Sequence, residues 1–339
     1  MNIKIGKKMI GANNPAFIIA EIGSAHQGEI EICKTLVKMT SQTGADAIKF
    51  QKFICDELVV SADPRYEVYK NIEMNEDNWR EIISYTKKFD LEILADVFDE
   101  RSSDLMDELG VTAFKIHSTD LTNPYLISHV AKKGKPLLLA TGGSTMEEIK
   151  NAIEIAKSCG NEKVVLVHGF QAYPTRVEDT NLKFIQTLRN TFGLDVGYHD
   201  HVDAESELAF ILPCVAVAFG ASVIEKHITL DRGLRGLDYY SALNPNEFGK
   251  MVKIIRKVES SLGSGSCDFS EAEKKYRDTT KKNIVARAGI PAGAIINMSM
   301  LAFKRSGSGL QPSEAAKVVG RKAKTTIKKD EIITWDKLL

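Results

Sequence analysis

The stretch DVGYHDHVDAESELAFILPCVAVAFGASVIEKHI, residues 195–228, decides the fold. It contains two apolar strand-like runs, DVGYHD from Asp195 and SVIEKHI from Ser222, and the spacing between them leaves room for a crossover helix. Histidines lie at or just beyond the end of both runs. Reacting groups of (β/α)8 barrels collect at the carboxyl ends of the strands. The segment therefore predicts one βαβ unit of a parallel fold with a polar site at that end.

Six further runs precede this segment, and all are as continuously apolar as strands covered on both faces. They are PAFIIAEIG from Pro15, DAIKFQ from Asp46, LEILADVF from Leu91, TAFKIHS from Thr112, PLLLAT from Pro136 and VVLVHGF from Val164. Helical patterns lie between them, as in EICKTLVKMTSQTG with a stop at Gly44 and STMEEIKNAIEIAKSCG with Ser144 as N-cap. Eight alternating strand and helix units predict a (β/α)8 TIM barrel, which is an α/β fold. They favour it above an open doubly wound sheet, because GxGxxG does not follow the early strands.

The composition changes after residue 262. Residues 1–262 carry the barrel pattern, whereas residues 263–281 are small and polar, then charged, and predict a linker. Residues 282–339 have short β-like runs between Gly and Pro turns, which predict a small, mostly β domain. The long connection after the second strand, residues 52–76, is expected either on the catalytic side or as a solvated excursion.

The overall composition favours a small-molecule role. The 339 residues include 45 basic and 45 acidic side chains, so there is no electrostatic reason to expect nucleic acid or an anionic membrane as a partner. The N-terminus lacks the apolar region of a signal peptide, and no run approaches the roughly 18 apolar residues of a membrane span. We therefore expect a cytoplasmic protein. The five cysteines are widely spaced without CxxC, which argues against disulfides or a thiolate zinc site.

Histidines mark the predicted catalytic end. Those at or just beyond strand ends are His26, His117, His168, His199, His201 and His227. His201 and His227 follow adjacent strands, so their imidazoles can converge on one divalent ion and leave coordination positions for water and a substrate oxygen. The alternative is that both are structural, hydrogen-bonded histidines.

Charged residues end several of the predicted strands. Lys49 and Lys115 each end an apolar run, where an unpaired ammonium group would be costly. A substrate phosphate or carboxylate would satisfy both lysines, and so would ion pairs with Glu21, Asp46 or Glu225. Glu21 and Glu225 end the first and last strands, which adjoin when a barrel closes. Either carboxyl is a candidate to move protons, and Glu225 alternatively orients a sugar hydroxyl.

Eight motifs, in order and nearly spanning the chain, resemble the sialic acid synthase family. This family condenses phosphoenolpyruvate (PEP) with an N-acylated amino sugar to give a nine-carbon ulosonic acid and phosphate. The motifs are AEIGSAHQG (20–28), GADAIKFQ (44–51), KIHSTDLTN (115–123), GKPLLLATGGSTMEEI (134–149), YPTRVEDTNL (173–182), GYHDH (197–201), IEKHITLDR (224–232) and KRSGSG (304–309). The tail resembles the antifreeze-like SAF domain that ends these synthases.

The resemblance implies a role for residues at the family's ligand positions. They are Lys49, Lys115 and Ser118 for PEP, Gln51, Tyr173 and Asp238 for the sugar, and His201 and His227 for a divalent ion. That ion is expected to be Mn²⁺ or Mg²⁺, because imidazole and oxygen ligands discriminate weakly between such metals. The resemblance also implies a homodimer in which Arg305 of one protomer reaches the sugar in its partner's active site. The catalytic candidates are Glu21, Glu225, Lys49 and Lys115.

The chain departs from the family pattern at the phosphate site. Asp96, Ala140 and His199 stand where the family usually has hydroxyl-bearing residues. An ionised Asp96 beside a phosphate would repel it by on the order of several kcal/mol at low effective dielectric. The sixth strand also ends in His168-Gly169-Phe170-Gln171, where the family more often has His-Cys-Thr.

Three interpretations follow from these departures. In a divergent synthase, a protonated His117 or His199 would bind the phosphate, because a neighbouring anion raises histidine pKa. Alternatively, the pocket takes an unphosphorylated keto acid, and Asp96, His199, His201 and His227 enclose a metal for an aldolase or lyase. The third interpretation is a non-catalytic binding homologue. The retained lysines and sugar-site residues favour the synthase.

Overall fold

The computed structural model describes residues 3–11 and 14–339 of the chain. Its strands are β1 Ile3–Ile5, β2 Lys8–Ile10, β3 Phe17–Glu21, β4 Ala47–Lys52, β5 Glu92–Val97, β6 Ala113–Ile116, β7 Leu137–Ala140, β8 Val164–His168, β9 Asp195–Asp200, β10 Val223–His227, β11 Lys282–Ala286 and β12 Leu301–Arg305. Its helices are α1 Ile30–Thr40, α2 Cys55–Leu58, α3 Tyr66–Ile72, α4 Glu76–Thr86, α5 Glu100–Glu108, α6 Pro124–Ala131, α7 Met146–Ser158, α8 Phe184–Phe192, α9 Leu208–Ala218, α10 Pro245–Leu262, α11 Glu271–Thr280 and α12 Ala315–Val318. None of these described helices is both long and apolar enough to cross a membrane.

Strands β3 to β10 form a closed parallel barrel, in which β10 pairs with both β9 and β3. All eight strands predicted from sequence are present. Because they close into a barrel, the predicted TIM barrel is confirmed and the open sheet is excluded. The register places Glu21 beside Lys49, and Glu225 beside His199. Because side chains alternate along a strand, these residues face the barrel interior at one level.

Two apolar layers hold the barrel together. The larger one lies between the strands and the surrounding helices and includes Trp79, Phe114 and Phe248. The smaller one fills the barrel and joins inward strand residues, such as Phe17 and Leu94, to isoleucines of the β1–β2 hairpin. The hairpin therefore packs on the barrel's apolar filling, and the carboxyl ends of the strands are left for polar groups.

The two helices predicted from sequence are present, but one begins and the other ends at a different residue from the one predicted. The N-cap of α7 is Thr145, whose side chain accepts from the Glu148 backbone amide, and not Ser144. Thr145 completes a reciprocal capping box with Glu148, whereas Ser144 lies one residue too early for that geometry. Helix α1 ends at Thr40, four residues before the predicted stop at Gly44.

The connection between β4 and α4 is not a plain excursion. It contains the short helices α2 and α3. Several of its side chains, including Phe53, Val59 and Tyr69, line the cavity at the carboxyl end of the barrel. The catalytic-side interpretation of residues 52–76 therefore agrees with the structure.

The chain divides into two compact units, Met1–Gly263 and Ser264–Leu339. The predicted linker contains the ten-residue helix α11, which begins at a capping box formed by Ser270 and Glu273. In the second unit, β11 and β12 pair antiparallel over a small core that includes Ile284, Leu301 and Ile327. This unit is the small β-containing region expected after the barrel.

Candidate active site

The candidate site is a cavity of about 510 Å³ at the carboxyl ends of the barrel strands. Among the residues predicted from sequence, Gln51, Ser118, Tyr173, His227 and Asp238 line it. They lie at the ends of four barrel strands, β4, β6, β8 and β10, or in the connections that follow them. Barrel closure thus brings them together from distant parts of the chain.

Five buried charged residues form an ion cluster at the mouth of the barrel. Lys49 Nζ lies 2.6 Å from Glu21 Oε2, 3.0 Å from Glu225 Oε1 and 3.2 Å from Asp96 Oδ2. Lys115 Nζ donates to the same Glu225 Oε1 at 2.7 Å. Each of these side chains is at most 3% exposed. Both lysines therefore have anionic partners within the protein.

The partners differ in part from those expected from sequence. Glu21 and Glu225 pair with Lys49 as expected, but Asp46 does not. It lies at the amino end of β4, where it accepts from Arg256 Nη2 at 2.6 Å. Asp96 takes its place in the cluster, and its Oδ1 has no hydrogen-bond partner among the described residues. The carboxylate that was expected to repel a phosphate is thus paired with Lys49.

The charges in the cluster shift one another's protonation. Burial raises the pKa of Glu21 to about 7, despite the opposing charge of Lys49. Burial works against the charged forms of Lys49 and Glu225, but their mutual attraction and that of their neighbours prevail. The pKa of Lys49 is raised well above its ordinary value, and that of Glu225 is held well below. Glu21 is consequently the group of this cluster whose pKa suits proton transfer near neutrality.

The rings of His199, His201 and His227 lie in series beside the cluster, with centroids 4.8 Å and 5.3 Å apart. His201 Nδ1 lies 3.0 Å from the carbonyl oxygen of Phe170, so it donates there and leaves the Nε2 lone pair free. The His227 ring packs on Gly23, where an added Cβ would lie 3.0 Å from His227 Cε1. Two oriented imidazoles fit the predicted two-histidine site for a divalent ion.

The larger metal enclosure is not formed. Within residues 3–11 and 14–339, no group of three or more His, Cys, Asp or Glu side chains is arranged to hold an ion. Asp96, considered as a fourth ligand with His199, His201 and His227, is instead held by Lys49. An ion between His201 and His227 would need further ligands from substrate and water.

The histidines near the phosphate position favour the neutral form. Burial lowers the pKa of His117, and burial together with the charge of Lys115 lowers that of His199 well below its usual value. The protonated state expected from sequence is therefore not favoured in this structure. His199 Nδ1 lies 3.5 Å from Lys115 Nζ, so a neutral ring can accept from the ammonium group.

Gly169 and His199, two positions at which the chain departs from the family pattern, contact each other. A Cβ on Gly169 would lie only 1.6 Å from Cδ2 of His199. The large ring at position 199 therefore depends on the glycine on the neighbouring strand. Gln171 lies on the other side of this ring, with its Nε2 at 3.3 Å from His199 Nε2, and it also accepts from the Tyr173 hydroxyl at 3.1 Å.

Asp238 is held in a strained backbone conformation beside the cavity. Its φ of 61° is unusual for a residue other than glycine, and such strain is concentrated at functional sites. Asp238 Oδ2 accepts from the backbone amide of Ser24 at 3.1 Å. This bond holds the carboxylate between the connections that follow β3 and β10.

Two histidines of the strand-end pattern serve the packing instead of the cavity. His26 packs edge-on against Trp79, and its Nδ1 accepts from the backbone amide of Gly28. His168 Nε2 lies 2.9 Å from the carbonyl oxygen of Thr180. Both rings are structural, so strand-end position alone over-predicted the site. Arg305 ends β12 in the second unit, where it is exposed.

Sequence reasoning missed two features of this region. One is a pair of aromatic side chains that line the cavity, Phe53 and Phe98, each of which lies one residue beyond a barrel strand. The other is a buried ion pair between Asp200 and Lys226. These two residues precede His201 and His227 directly, so strand alternation would have placed them together on the outer face of the barrel.

Sequence profiles of two families match the chain. The NeuB family matches residues 36–267, and the SAF domain matches residues 282–339. The NeuB match covers most of the first compact unit and extends four residues into the second, and the SAF match lies within the second unit.

Individual proteins are similar over almost the whole length. The N,N'-diacetyllegionaminic acid synthase of Legionella pneumophila is 34% identical over 98% of this chain and 97% of its own length. The N-acetylneuraminate-9-phosphate synthase of Homo sapiens is 32% identical over 96% and 93%. The crystal structure of the N-acetylneuraminic acid synthetase from Leptospira borgpetersenii serovar Hardjo-bovis, in complex with citrate, superimposes with a TM-score of 0.77. It has 31% identity and covers 83% of this chain and 97% of that one.

Proposed function

The chain belongs to the NeuB family, and we propose that it condenses PEP with the aldehyde of an N-acylated amino sugar to give a nonulosonic acid and phosphate. Its relatives include an N,N'-diacetyllegionaminic acid synthase and an N-acetylneuraminate-9-phosphate synthase, and residues 282–339 match the SAF domain that the resemblance implied. The observation that carries the proposal is the placement of Lys49 and Lys115. Both are buried near the carboxyl ends of β4 and β6, and Gln51 and Ser118, which follow them by two and three residues, line the cavity.

The proposed reaction forms one C–C bond and one C–O bond from water to C2, and it breaks the C–O bond between C2 and the phosphate. C3 of PEP attacks the aldehyde carbon, whose oxygen takes up a proton. Water then adds at C2, and the tetrahedral intermediate expels phosphate to leave a 2-keto acid. Lys49 and Lys115 are the proposed cationic contacts of the anionic substrate, which would have to compete with Glu21, Asp96 and Glu225 for their ammonium groups. Glu21, with a pKa of about 7, is suited to exchange a proton with water or with the sugar alcohol.

We propose His201 and His227 as the ligands of a divalent ion, Mn²⁺ or Mg²⁺. Such an ion would polarise the aldehyde. Gln51, Tyr173 and Asp238 are the proposed sugar contacts, and Ser118 and His199 are proposed to contact PEP. His199 would do so as a neutral ring, given the direction of its pKa shift.

We further propose that the active unit is a homodimer. In it, Arg305 of one protomer would contact the sugar bound to its partner. The position of Arg305 in the KRSG motif of the SAF domain supports this proposal.

The residues at the expected phosphate position favour a second candidate function. Asp96 adds a third carboxylate to the ion cluster, while Ala140 and His199 supply no hydroxyl group. A site with an extra negative charge and fewer phosphate donors would suit an unphosphorylated keto acid such as pyruvate. The reaction would then be a metal-dependent aldol addition or cleavage.

Calorimetry separates the candidates. The Mn²⁺-loaded protein is titrated with PEP and, in parallel, with pyruvate at the same pH. The proposal predicts PEP binding with little heat from pyruvate, and loss of PEP binding in Lys115→Met. Binding of pyruvate without PEP would support the aldolase or lyase. Binding of neither compound, with or without an amino sugar, would support the non-catalytic homologue.

A further inference from the structure

A series of polar side chains connects the ion cluster with the cavity. Lys115 Nζ donates to Glu225 Oε1 at 2.7 Å and lies 3.5 Å from His199 Nδ1. On the other side of the ring, His199 Nε2 lies 3.3 Å from the side-chain amide of Gln171, which lies 3.1 Å from the Tyr173 hydroxyl. Gln171 and Tyr173 line the cavity, whereas His199 is only 2% exposed. The series therefore joins a buried lysine to two residues that can contact a ligand.

The ammonium group of Lys115 selects the tautomer of His199. An ammonium group only donates, so the ring nitrogen that faces it has to be the acceptor. A hydrogen on His199 Nδ1 would instead point towards the charge of Lys115 across 3.5 Å. The ring is also confined on its Cδ2 edge, where an added Cβ at Gly169 would lie 1.6 Å from Cδ2. The single hydrogen of the neutral ring is therefore expected on Nε2.

This tautomer determines the orientation of the Gln171 amide. A carboxamide keeps its shape under a half-turn that exchanges oxygen and nitrogen, so its hydrogen-bond partners decide which end faces which neighbour. With Nε2 towards His199, two N–H groups would face each other across 3.3 Å. With Oε1 there, the amide accepts from the ring and its nitrogen donates to the Tyr173 oxygen. The second amide hydrogen and the Tyr173 hydroxyl hydrogen are then left for a ligand.

Gln171 lies at the expected phosphate position. Gly142 packs against it, since an added Cβ there would lie 2.8 Å from Gln171 Cγ. This glycine follows Ala140 by two residues, and Ala140 and His199 are positions at which the family usually has hydroxyl groups. An amide N–H is a neutral donor, so it can contact an anion in place of a hydroxyl group.

We propose that Gln171 binds an anionic oxygen of PEP through its side-chain amide nitrogen, and that His199 positions this amide. The inference rests on the proposed function. It assigns the PEP contact at this position to Gln171, with His199 acting through it, because both ring nitrogens of His199 are engaged within the protein. The same arrangement leaves the Tyr173 hydroxyl as a donor towards the sugar.

The tautomer is tested by nitrogen NMR of the ¹⁵N-histidine-labelled chain at slightly alkaline pH, with diamagnetic Mg²⁺. Two histidines serve as internal references, because a carbonyl oxygen only accepts. His168 Nε2 lies 2.9 Å from the Thr180 carbonyl oxygen, and His201 Nδ1 lies 3.0 Å from that of Phe170. His199, assigned by the loss of its signals in His199→Ser, should show the pattern of His168. The pattern of His201 would overturn the inference.

The contact with PEP is tested by calorimetry on two variants of Gln171. Gln171→Met removes the amide at similar volume and should weaken PEP binding about tenfold or more. Gln171→Glu keeps an acceptor for His199 but loses the donor and adds a negative charge, so it should weaken binding further. Gln186→Met, on the exposed side of α8, should leave PEP binding unchanged. Binding by Gln171→Glu that equals or exceeds binding by Gln171→Met would overturn the inference, because the position would then require an acceptor.

Failure of the proposed function is distinguishable from failure of this inference. If the parent chain binds no PEP, the synthase proposal fails, and the tautomer of His199 still decides the orientation of Gln171. Pyruvate, which retains the carboxylate, then replaces PEP in the comparison of the same variants. If His199 has the predicted tautomer but Gln171→Met binds the anion as tightly as the parent chain, Gln171 does not contact the ligand and the inference is wrong.

Discussion

Replacing Lys226 by methionine is expected to destabilise the barrel by about 3–5 kcal/mol, because it leaves a buried carboxylate without its cation. Lys226 Nζ lies 2.7 Å from Asp200 Oδ2, and both side chains are fully buried. Asp200 Oδ1 accepts from the Tyr198 hydroxyl at 2.9 Å and from the Val202 amide at 3.2 Å. These hydrogen bonds would remain in the variant, but they do not replace a positive charge.

The double variant D200L/K226M distinguishes the cost of burying an unpaired charge from the cost of changed side-chain packing. Replacing a buried pair by apolar side chains of similar volume is often neutral or stabilising by about 1–4 kcal/mol, since neither charge then has to leave water. The double variant should therefore be more stable than Lys226→Met, although it leaves the Tyr198 hydroxyl and the Val202 amide without their acceptor, at about 1–3 kcal/mol each. The difference between single and double variants measures the cost of the orphaned carboxylate.

The assay is urea unfolding followed by the fluorescence of Trp79. This residue is 2% exposed in the barrel core, whereas Trp335 lies in the second unit. All variants are made in a Trp335→Phe background, so that the signal reports on the barrel. A loss below about 1 kcal/mol in Lys226→Met, or a double variant as unstable as the single one, would refute the reasoning.

The same ion pair is expected to position the proposed metal ligands. Asp200 accepts from the amide of Val202, and Lys226 Nζ donates to its carbonyl oxygen at 3.2 Å. Val202 directly follows His201, so the pair holds the backbone beside one imidazole. D200L/K226M should bind Mn²⁺ more weakly in calorimetry under conditions in which it is folded. Unchanged Mn²⁺ affinity in the folded double variant would contradict this positioning role.

Three further predictions address separate parts of the chain. Gly169→Ala should lower the free energy of unfolding in urea by about 1–3 kcal/mol, because the new Cβ would clash with His199. A His199→Ser background should restore part of this free energy, and no recovery would contradict the contact. Arg305→Ala should lower turnover by about tenfold or more without shifting the unfolding midpoint, and unchanged turnover would exclude its proposed role across the dimer. With a disulfide reagent, exposed Cys267 should react rapidly, whereas buried Cys33, whose pKa burial raises to about 12, should react only on unfolding. Because Cys159 is partly exposed, the labelled peptide is identified by mass spectrometry, and rapid labelling of the Cys33 peptide in the folded protein would count against the buried thiol.

The barrel was predictable because its signal is local and repeated. Each of the eight strands is a short run of buried residues, as in the fully buried β3 and β10. The apolar pattern of such a strand can be recognised from its own sequence, without knowing which strands lie beside it. The ends of helices were less accurate. Ser144 with Glu147 and Thr145 with Glu148 have the same capping-box spacing, so the sequence does not choose between them, and the structure forms the box at Thr145.

The partners of the buried charges could be predicted only in part. Sequence placed Lys49, Glu21 and Glu225 at one end of the barrel, because each ends a strand. It did not distinguish Asp46 from Asp96 as the third candidate, since the choice depends on which end of a strand each carboxylate occupies. Asp46 precedes β4, whereas Asp96 lies level with Gln51 near its carboxyl end. The amino-end position of Asp46 is already given by the run DAIKFQ, which begins with it, whereas the pairing of Asp96 with Lys49 also depends on the register between β4 and β5, which single-sequence patterns do not fix.

The charge balance of the ion cluster links the separate proposals. Glu21, Asp96 and Glu225 provide three carboxylates against the two ammonium groups of Lys49 and Lys115, an excess of one acidic group before any substrate binds. PEP brings both a carboxylate and a phosphate, so additional positive charge must accompany it into a buried site. A divalent ion at His201 and His227 and a guanidinium group from Arg305 are the two proposed sources. Binding of PEP, binding of the ion and the proposed role of Arg305 are therefore expected to support one another.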